Sequence, residues 1–280
     1  MTEKRALVLG PGGVVGTAWT AGLVVGLRRA GVDLADADLI VGTSAGAIVG
    51  AMLATGQDLE RLGTLPVDST ASAPATDPAR MNEVFAVLGD RSLDPMEARR
   101  RVGRIALTAA TAGEETHVSR MAALIGTREW PDRELLITTV DVETGERRVW
   151  DRSDGAPPAT VVAASTAMPG AYPPITVNGR RYMDGALAEG SNADLADGAG
   201  VTVLVEPLAH LFPANPAAGA PGVVRVVPDP AAVAAFGPDL LDRAASRASY
   251  EAGVRQAADA TDRIRDTWHD RKPAGRTRSM

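Results

Sequence analysis

Short, continuous apolar runs alternate along this chain with longer stretches in which apolar residues return at helical spacing. Continuous runs of this length, bounded by glycine, proline or polar residues, are typical of strands that are buried on both faces. The pattern predicts an α/β fold with a mainly parallel central sheet flanked by helices. The predicted strands are residues 5–10, 39–41, 134–142, 147–150, 175–177, 180–183, 201–205 and 223–227. Turn signals predict two hairpins among them, 134–142 with 147–150 and 175–177 with 180–183.

Helices are predicted after several of these strands and near the end of the chain. Small and apolar residues follow the first two strands, up to about Ala30 and over residues 45–54, and predict helices that pack closely on the sheet. A short helix is predicted over residues 159–167. The longest helix is predicted from Asp239 to about Trp268.

Three further helical patterns precede the third strand, over residues 77–88, 94–111 and 116–125. Because an all-helical block between two strands is well placed to cover an active site, we expect a helical cap at about residues 66–130. A Ser/Thr/Pro/Ala segment at residues 66–78 is expected to form a surface loop. Apolar side chains of this block could line an acyl pocket or belong to the core, namely Met81, Val84, Phe85, Val87, Leu88, Met121 and Leu124.

The composition is that of one soluble domain. Of the 280 residues, 45% are apolar and 23% charged, so we expect one domain over residues 1–270. A basic tail at residues 271–280 is expected to be disordered. Its charges could contact an anionic membrane surface transiently or could simply be solvated. The net charge of −6 does not favour nucleic acid as a partner, and no oligomeric state is predicted.

The residue inventory excludes several kinds of site. Without cysteine the chain has no disulfide, no thiolate metal site and no cysteine nucleophile. His117, His210 and His269 are too far apart in sequence to form a local metal motif, so neither a metal nor a cofactor is predicted. No secretory signal opens the chain, and residues 14–27, the longest uncharged apolar stretch, are too few to span a bilayer. We expect a cytoplasmic protein.

A glycine loop, Pro11-Gly12-Gly13-Val14-Val15-Gly16, connects the first strand to its helix. Strand, glycine loop and helix together form a geometry that holds an anion on backbone N–H groups. The anion could be a phosphate or the oxyanion of an acyl-transfer intermediate. A dinucleotide fingerprint would need glycine at Val15, and a phosphate-binding P-loop would need Gly-Lys-Ser/Thr, so the oxyanion is favoured. A turn that only packs helix on strand is the alternative.

The second strand leads into Gly42-Thr43-Ser44-Ala45-Gly46, a G-x-S-x-G pentapeptide followed by a small-residue helix. This context is that of a nucleophile elbow, in which a tight turn exposes the serine hydroxyl at a helix N-terminus. The turn leaves almost no room for a side chain at Gly42 or Gly46. A glycine-rich turn with an incidental serine is the alternative interpretation.

Asp184 follows a strand of the second predicted hairpin, whose turn is Asn178-Gly179. The strand holds the carboxylate in a fixed position, and Gly185 leaves room for a neighbouring group to approach. An aspartate that caps a turn or helix would produce the same local pattern.

Taken in order, the glycine loop, the G-x-S-x-G pentapeptide and Asp184-Gly185-Ala186 resemble the patatin-like acyl hydrolases. The resemblance covers roughly residues 5–229 and includes ITTVDVETGERRVW and AASTAMPGAYPPITVNGRRYMDGA. It implies a three-layer patatin-like fold and hydrolysis of a lipid or small ester, phospholipase A-type cleavage included. It assigns Ser44 as the nucleophile and Asp184 as the base of a dyad. It assigns the backbone N–H groups of Gly12, Gly13 and Val14 to the oxyanion hole, and Gly16, Gly42, Gly46 and Gly185 as motif glycines.

Two departures and several alternatives accompany this resemblance. The family's glycine loop commonly reads G-G-G-x-K/R-G. Here Pro11 stands at the first position and removes one N–H donor. Val15 replaces the basic residue, which weakens the case for a phospholipid substrate.

Chain order also permits a triad of Ser44, Asp141 or Asp184, and His210 or His269. An acyltransferase with the same dyad and a non-catalytic protein that binds an acyl chain or nucleotide are the other hypotheses.

Overall fold

A computed structural model of the chain describes residues 4–64, 78–108, 113–212 and 215–268. Almost all of the loop expected at residues 66–78 lies outside these ranges, as do His269 and the basic tail at residues 271–280. The predicted α/β fold is confirmed, because helices flank a central sheet in which eight strands are described. The strands are β1 (Arg5–Leu9), β2 (Leu39–Gly42), β3 (Glu134–Asp141), β4 (Arg147–Trp150), β5 (Ile175–Val177), β6 (Arg180–Asp184), β7 (Val201–Val205) and β8 (Val223–Val226).

The sheet is mainly parallel. Hydrogen-bonded neighbours follow the order β5-β6-β3-β2-β1-β7-β8, and β4 pairs with β3. The pairs among β3, β2, β1, β7 and β8 are parallel, whereas β4 and the β5–β6 hairpin join antiparallel. In a parallel sheet the C-terminal ends of the strands meet at one edge, where ligands bind in such folds. The glycine loop after β1 and the pentapeptide after β2 therefore lie side by side.

Strands β2 and β6 share one edge of β3. The other edge of β3 belongs to β4, which pairs with both Ile137 and Thr139. Since a strand has only two edges, β2 and β6 occupy the same one, β2 ending with Gly42 opposite Ile137 and β6 ending with Asp184 opposite Thr139. The two strands run toward each other, and their C-terminal ends meet end to end.

The helices form an uneven pair of layers around the sheet. The main layer holds most of the apolar core, and the strands contribute one alternate set of side chains to it, such as Leu7 and Leu9. Smaller clusters cover the other face, where Ala6 and Val8 pack. The helices are α1 (Gly13–Arg29), α2 (Ala45–Ala54), α3 (Pro78–Gly89), α4 (Pro95–Thr108), α5 (Glu114–Ile125), α6 (Pro158–Ser165), α7 (Ala186–Glu189), α8 (Pro230–Phe236) and α9 (Ser246–Trp268).

The three helices expected to form a cap lie in two places. Side chains of α3 and α4, such as Val84 and Val102, pack on Val140 and Met183 beside the end of β6. Helix α5 packs instead on α6, and Met121 belongs to the main core rather than to a pocket over the site. The cap at residues 66–130 therefore stays a prediction, carried by α3 and α4.

The terminal helix begins at Ser246, so the predicted start at Asp239 is wrong. The carboxylates of Asp239 and Asp242 accept the N–H groups of Leu241 and Ala244, which favours turns over a helix. Helix α8, which precedes this turn segment, was not predicted, although Asp229 as N-cap and Pro230 in the first turn form a helix-start pattern. No described helix combines the length and the apolar character needed to cross a bilayer.

Candidate active site

Ser44 occupies a strained turn between β2 and α2. Its φ of 54° and ψ of −117° lie outside the usual regions for a residue with a side chain. A Cβ on Gly46 would lie 1.9 Å from the Leu9 carbonyl oxygen, and one on Gly42 would lie 2.7 Å from the Ala47 Cα. Glycine at both positions is therefore what allows the turn to close.

The Ser44 side chain donates a hydrogen bond to Asp184. The distance from Ser44 Oγ to Asp184 Oδ2 is 2.7 Å, and the other carboxylate oxygen accepts the Ala186 N–H at 2.9 Å. The Asp184 N–H donates to the Ala167 carbonyl oxygen at 3.1 Å. The two groups meet because β2 and β6 end against each other on β3. A Cβ on Gly185 would lie 2.3 Å from the Thr138 carbonyl oxygen, so this position also requires glycine.

Burial makes Asp184 an unusually strong base for a carboxylate. The residue is 3% exposed, and burial raises the pKa of its carboxyl from 3.8 to about 7. The hydrogen bonds from the Ala186 N–H and the Ser44 hydroxyl oppose this shift. An aspartate with a pKa near neutrality can accept a proton from a serine hydroxyl more readily than an ordinary one.

The glycine loop lies against the start of α2. A Cβ on Gly12 would be 3.2 Å from the Ala45 Cβ, and one on Gly16 would be 2.9 Å from the Pro207 Cβ. Within the described residues, the N–H groups of Gly12 and Gly13 have no hydrogen-bond acceptor. These two predicted oxyanion donors are therefore free to bind an anion at the N-terminus of α1.

The third predicted donor, Val14, is already engaged. Its N–H donates to the Leu240 carbonyl oxygen at 2.8 Å, and the Val15 N–H donates to the same oxygen at 3.3 Å. Leu240 belongs to the turn segment before α9, which the sequence had assigned to that helix. In this conformation the Val14 N–H cannot donate to an oxyanion. Its predicted role requires the Leu240 carbonyl to move away.

Asp141 and His210, two other candidates for the alternative triad, form no hydrogen bond with Ser44, and the third, His269, lies outside the described residues. Asp141 accepts the N–H groups of its own hairpin turn and pairs with Arg180 at 2.9 Å. His210 is exposed on a turn, with its ring 6.3 Å from that of Phe236. Across the part of the chain that the structure describes, no histidine hydrogen-bonds Ser44 or Asp184.

His117 is buried but faces other groups. Its Nε2 lies 2.9 Å from Thr166 Oγ1, and its ring stacks on Tyr172 at 4.1 Å between centroids. Burial, helped by the charge of Arg120, lowers the pKa of His117 to about 4, so the ring is neutral near pH 7. We therefore assign His117 a packing role.

Sequence reasoning missed two buried polar residues beside the site. Ser165, at the end of α6, accepts the Ser44 N–H on its Oγ at 2.9 Å. Asn192, which follows α7, donates to the hydroxyl of Thr43 at 3.0 Å. Neither residue has a local pattern that distinguishes it from a surface serine or asparagine. The described residues also contain no cluster of three or more histidine, aspartate or glutamate side chains that could hold a metal ion.

Comparison with known proteins identifies the family. No curated protein matches the chain in sequence. Among solved structures, VipD from Legionella pneumophila is 13% identical with a TM-score of 0.46, and the alignment covers 94% of this chain and 67% of VipD. The type III effector ExoU is 17% identical with a TM-score of 0.45, over 93% of this chain and 53% of ExoU. The family model of the patatin-like phospholipases matches residues 7–197, more than half of the chain. The chain therefore belongs to the patatin-like phospholipase family.

Proposed function

We propose that this protein is a serine acyl hydrolase that cleaves carboxylic ester bonds of lipids through a Ser44–Asp184 dyad and an acyl-enzyme. The observation that carries the proposal is the 2.7 Å hydrogen bond from Ser44 Oγ to Asp184 Oδ2. Since neither group hydrogen-bonds a histidine in the described residues, the carboxylate takes the serine proton directly.

In the first half-reaction, Ser44 Oγ attacks the ester carbonyl carbon while its proton moves to Asp184 Oδ2. With a pKa of about 7, Asp184 is still partly ionised at neutral pH and is a stronger base than an ordinary aspartate. The tetrahedral intermediate then collapses. Asp184 returns the proton to the departing alkoxide, the alcohol leaves, and the acyl group stays on Ser44 Oγ.

In the second half-reaction, water attacks the acyl carbonyl carbon and gives a proton to Asp184. Collapse of this intermediate breaks the acyl bond to Ser44 Oγ, which takes the proton back from Asp184. The carboxylic acid is released and the free dyad is restored.

The N–H groups of Gly12 and Gly13 stabilise the negative oxygen of both intermediates. Neither N–H has an acceptor among the described residues, which supports this role, as does their place at the N-terminus of α1. One such donor is worth about 2.7–4 kcal/mol of transition-state stabilisation in another serine hydrolase. The Val14 N–H can act as a third donor only when its hydrogen bond to the Leu240 carbonyl oxygen is broken.

Family membership supports lipid esters as the substrate class. We propose that phospholipase A-type cleavage is within reach, although Val15 stands where a basic residue would favour anionic lipids. Leu211 and Phe212 are 57% and 50% exposed and follow β7, whose C-terminal end lies at the same sheet edge as Ser44. Such exposed apolar side chains favour transient contact with a lipid surface.

Replacement of the nucleophile tests the proposal. Ser44→Ala should lower hydrolysis of a short-chain p-nitrophenyl ester and of phosphatidylcholine vesicles by at least about a thousandfold. The matched control is Ser153→Ala, an exposed serine bonded to Asp151, which should leave turnover unchanged. Product analysis with an added alcohol then separates hydrolysis from acyl transfer. Normal turnover in Ser44→Ala would refute the proposal, and acylated alcohol as the main product would reassign the reaction to an acyltransferase.

A further inference from the structure

Asn192 is a fully buried polar residue in a left-handed conformation, with φ of 55°. It lies eight positions after Asp184, between α7 and the short 3₁₀ segment Ala193–Ala196. Asparagine tolerates this conformation better than most residues with a side chain. Its burial is costly unless the side-chain amide is fully hydrogen-bonded.

The amide nitrogen of Asn192 is surrounded by acceptors from three elements. It donates to the hydroxyls of Thr43 at 3.0 Å and Thr138 at 3.1 Å. The carbonyl oxygens of Gly185 and Gly190 lie at 3.3 and 3.2 Å, so the two N–H bonds are shared among these acceptors. The hydroxyls of Thr43 and Thr138 are themselves 2.9 Å apart.

Arg147 fixes the orientation of this amide. Its Nη1 donates to Asn192 Oδ1 at 3.1 Å, while its guanidinium forms two hydrogen bonds with Asp194, at 2.8 and 2.7 Å. A carbonyl oxygen held on a fixed cation cannot exchange places with the amide nitrogen. The nitrogen is therefore aimed at Thr43, Thr138 and Gly185.

These partners are the immediate neighbours of the dyad. Thr43 precedes Ser44, Gly185 follows Asp184, and Thr138 lies on β3, where β2 and β6 meet end to end. We infer that Asn192 is a positioning residue that ties the ends of β2 and β6 together and so holds Ser44 Oγ within hydrogen-bond distance of Asp184. It acts through Thr43 and Gly185 and touches no reacting atom. This role rests on the proposed function of the dyad.

The effect on rate should be large relative to the effect on substrate binding. A displacement of about 1 Å between reacting groups can cost about a hundredfold in rate. Loss of the amide should therefore lower kcat by about 10- to 100-fold and leave KM for a short ester within about twofold. A merely structural role would lower the amount of folded enzyme without changing the turnover of each folded molecule.

Two substitutions isolate the amide. Asn192→Gly keeps the left-handed backbone and removes the side chain. Asn192→Asp keeps the shape and the contact with Arg147 but puts an oxygen against the Gly185 carbonyl, where a donor is needed. The matched control is Asn178→Gly, an exposed left-handed asparagine in the β5–β6 turn. Both Asn192 variants should lose turnover, and Asn178→Gly should not.

The decisive experiment measures the rate at which a fluorophosphonate labels Ser44, in folded protein, with and without Asp184→Asn. If Asn192 acts through the dyad, Asn192→Gly slows labelling at least tenfold when Asp184 is present. In protein that already carries Asp184→Asn, the same substitution should have little further effect. If Asn192→Gly slows labelling by the same factor in both backgrounds, or leaves labelling normal, the inference about Asn192 is overturned and the proposed dyad is not. A normal rate in Asp184→Asn by itself would instead overturn the proposed dyad.

Discussion

The carbonyl oxygen of Leu240 accepts a hydrogen bond from the backbone N–H of Val14 at 2.8 Å. This contact joins the turn before α9 to the loop that is proposed to hold the oxyanion. The same oxygen accepts the Val15 N–H, whereas the N–H groups of Gly12 and Gly13 have no acceptor among the described residues. The state of the glycine loop therefore depends on a segment far from it in sequence.

Gly13 is the position where this contact is most easily disturbed. It has φ of 60°, and a Cβ there would lie 2.5 Å from the Leu240 carbonyl oxygen. Gly13→Ala should therefore displace the turn and reorient the loop, lowering kcat/KM by about a hundredfold or more, as expected when an oxyanion donor is lost. Gly31→Ala is the matched control, because Gly31 has φ of 85° and open space around it. Equal kcat/KM values for the two variants in steady-state kinetics would contradict the assignment of Gly13 to the oxyanion hole.

The rate should depend on pH through Asp184. The carboxylate must be ionised to accept the serine proton, so kcat/KM should rise tenfold per pH unit at acidic pH and level off above about 7. The measurement is the pH profile of ester hydrolysis between about pH 5 and pH 9. A profile that levels off near pH 4, the ordinary range of aspartate, would mean that Asp184 is not the base.

The same pKa shift predicts a stability cost. Because the folded-state pKa of Asp184 is raised above the unfolded value, the folded chain retains a proton between about pH 4 and 7 that the unfolded chain has lost. The contribution of Asp184 to stability therefore falls as pH rises through this window. Asp184→Asn has no charge to bury. Its effect on the free energy of unfolding should therefore be more stabilising at pH 8 than at pH 4, by on the order of 2–4 kcal/mol. Urea unfolding at both pH values checks this, and an equal effect at both would contradict it.

Ser165 should stabilise the strained elbow. Ser165→Ala leaves the buried Ser44 N–H without an acceptor, which should cost about 1–3 kcal/mol of unfolding free energy and also lower turnover. Ser249→Ala is the matched control, because Ser249 is also buried but its hydroxyl donates to the Ala245 carbonyl oxygen in the preceding turn of its own helix segment. Urea denaturation of both variants would contradict the role of Ser165 if the two losses were equal.

The sequence predicted those parts of the fold and site that depend on local patterns. Apolar runs, together with the turn signals of two hairpins, located all eight described strands, and the tight turn around Ser44 could be inferred from Gly42 and Gly46. The proposed role of Asp184 came from the order of three motifs rather than from its own surroundings, since an aspartate that caps a turn has the same local pattern.

The remaining features depend on contacts between distant parts of the chain. Ser165 is 121 positions from Ser44, and Asn192 is 149 positions from Thr43. No periodicity or turn signal links such pairs, so neither residue could be identified from sequence. The turn around Leu240 was missed because small and apolar residues near Asp239 also fit a helix, whereas the aspartate side chains bond to the backbone and form turns.

The central claim is that Asp184 is the base for Ser44, and turnover by Asp184→Asn tests it most directly. Asparagine keeps the size and the hydrogen-bond geometry of the side chain but cannot take up the serine proton. With Asp132→Asn as the control at an exposed aspartate, we expect hydrolysis of a short-chain p-nitrophenyl ester to fall by at least about a thousandfold in Asp184→Asn only. Turnover within tenfold of the wild type, in protein that is fully folded, would contradict the dyad.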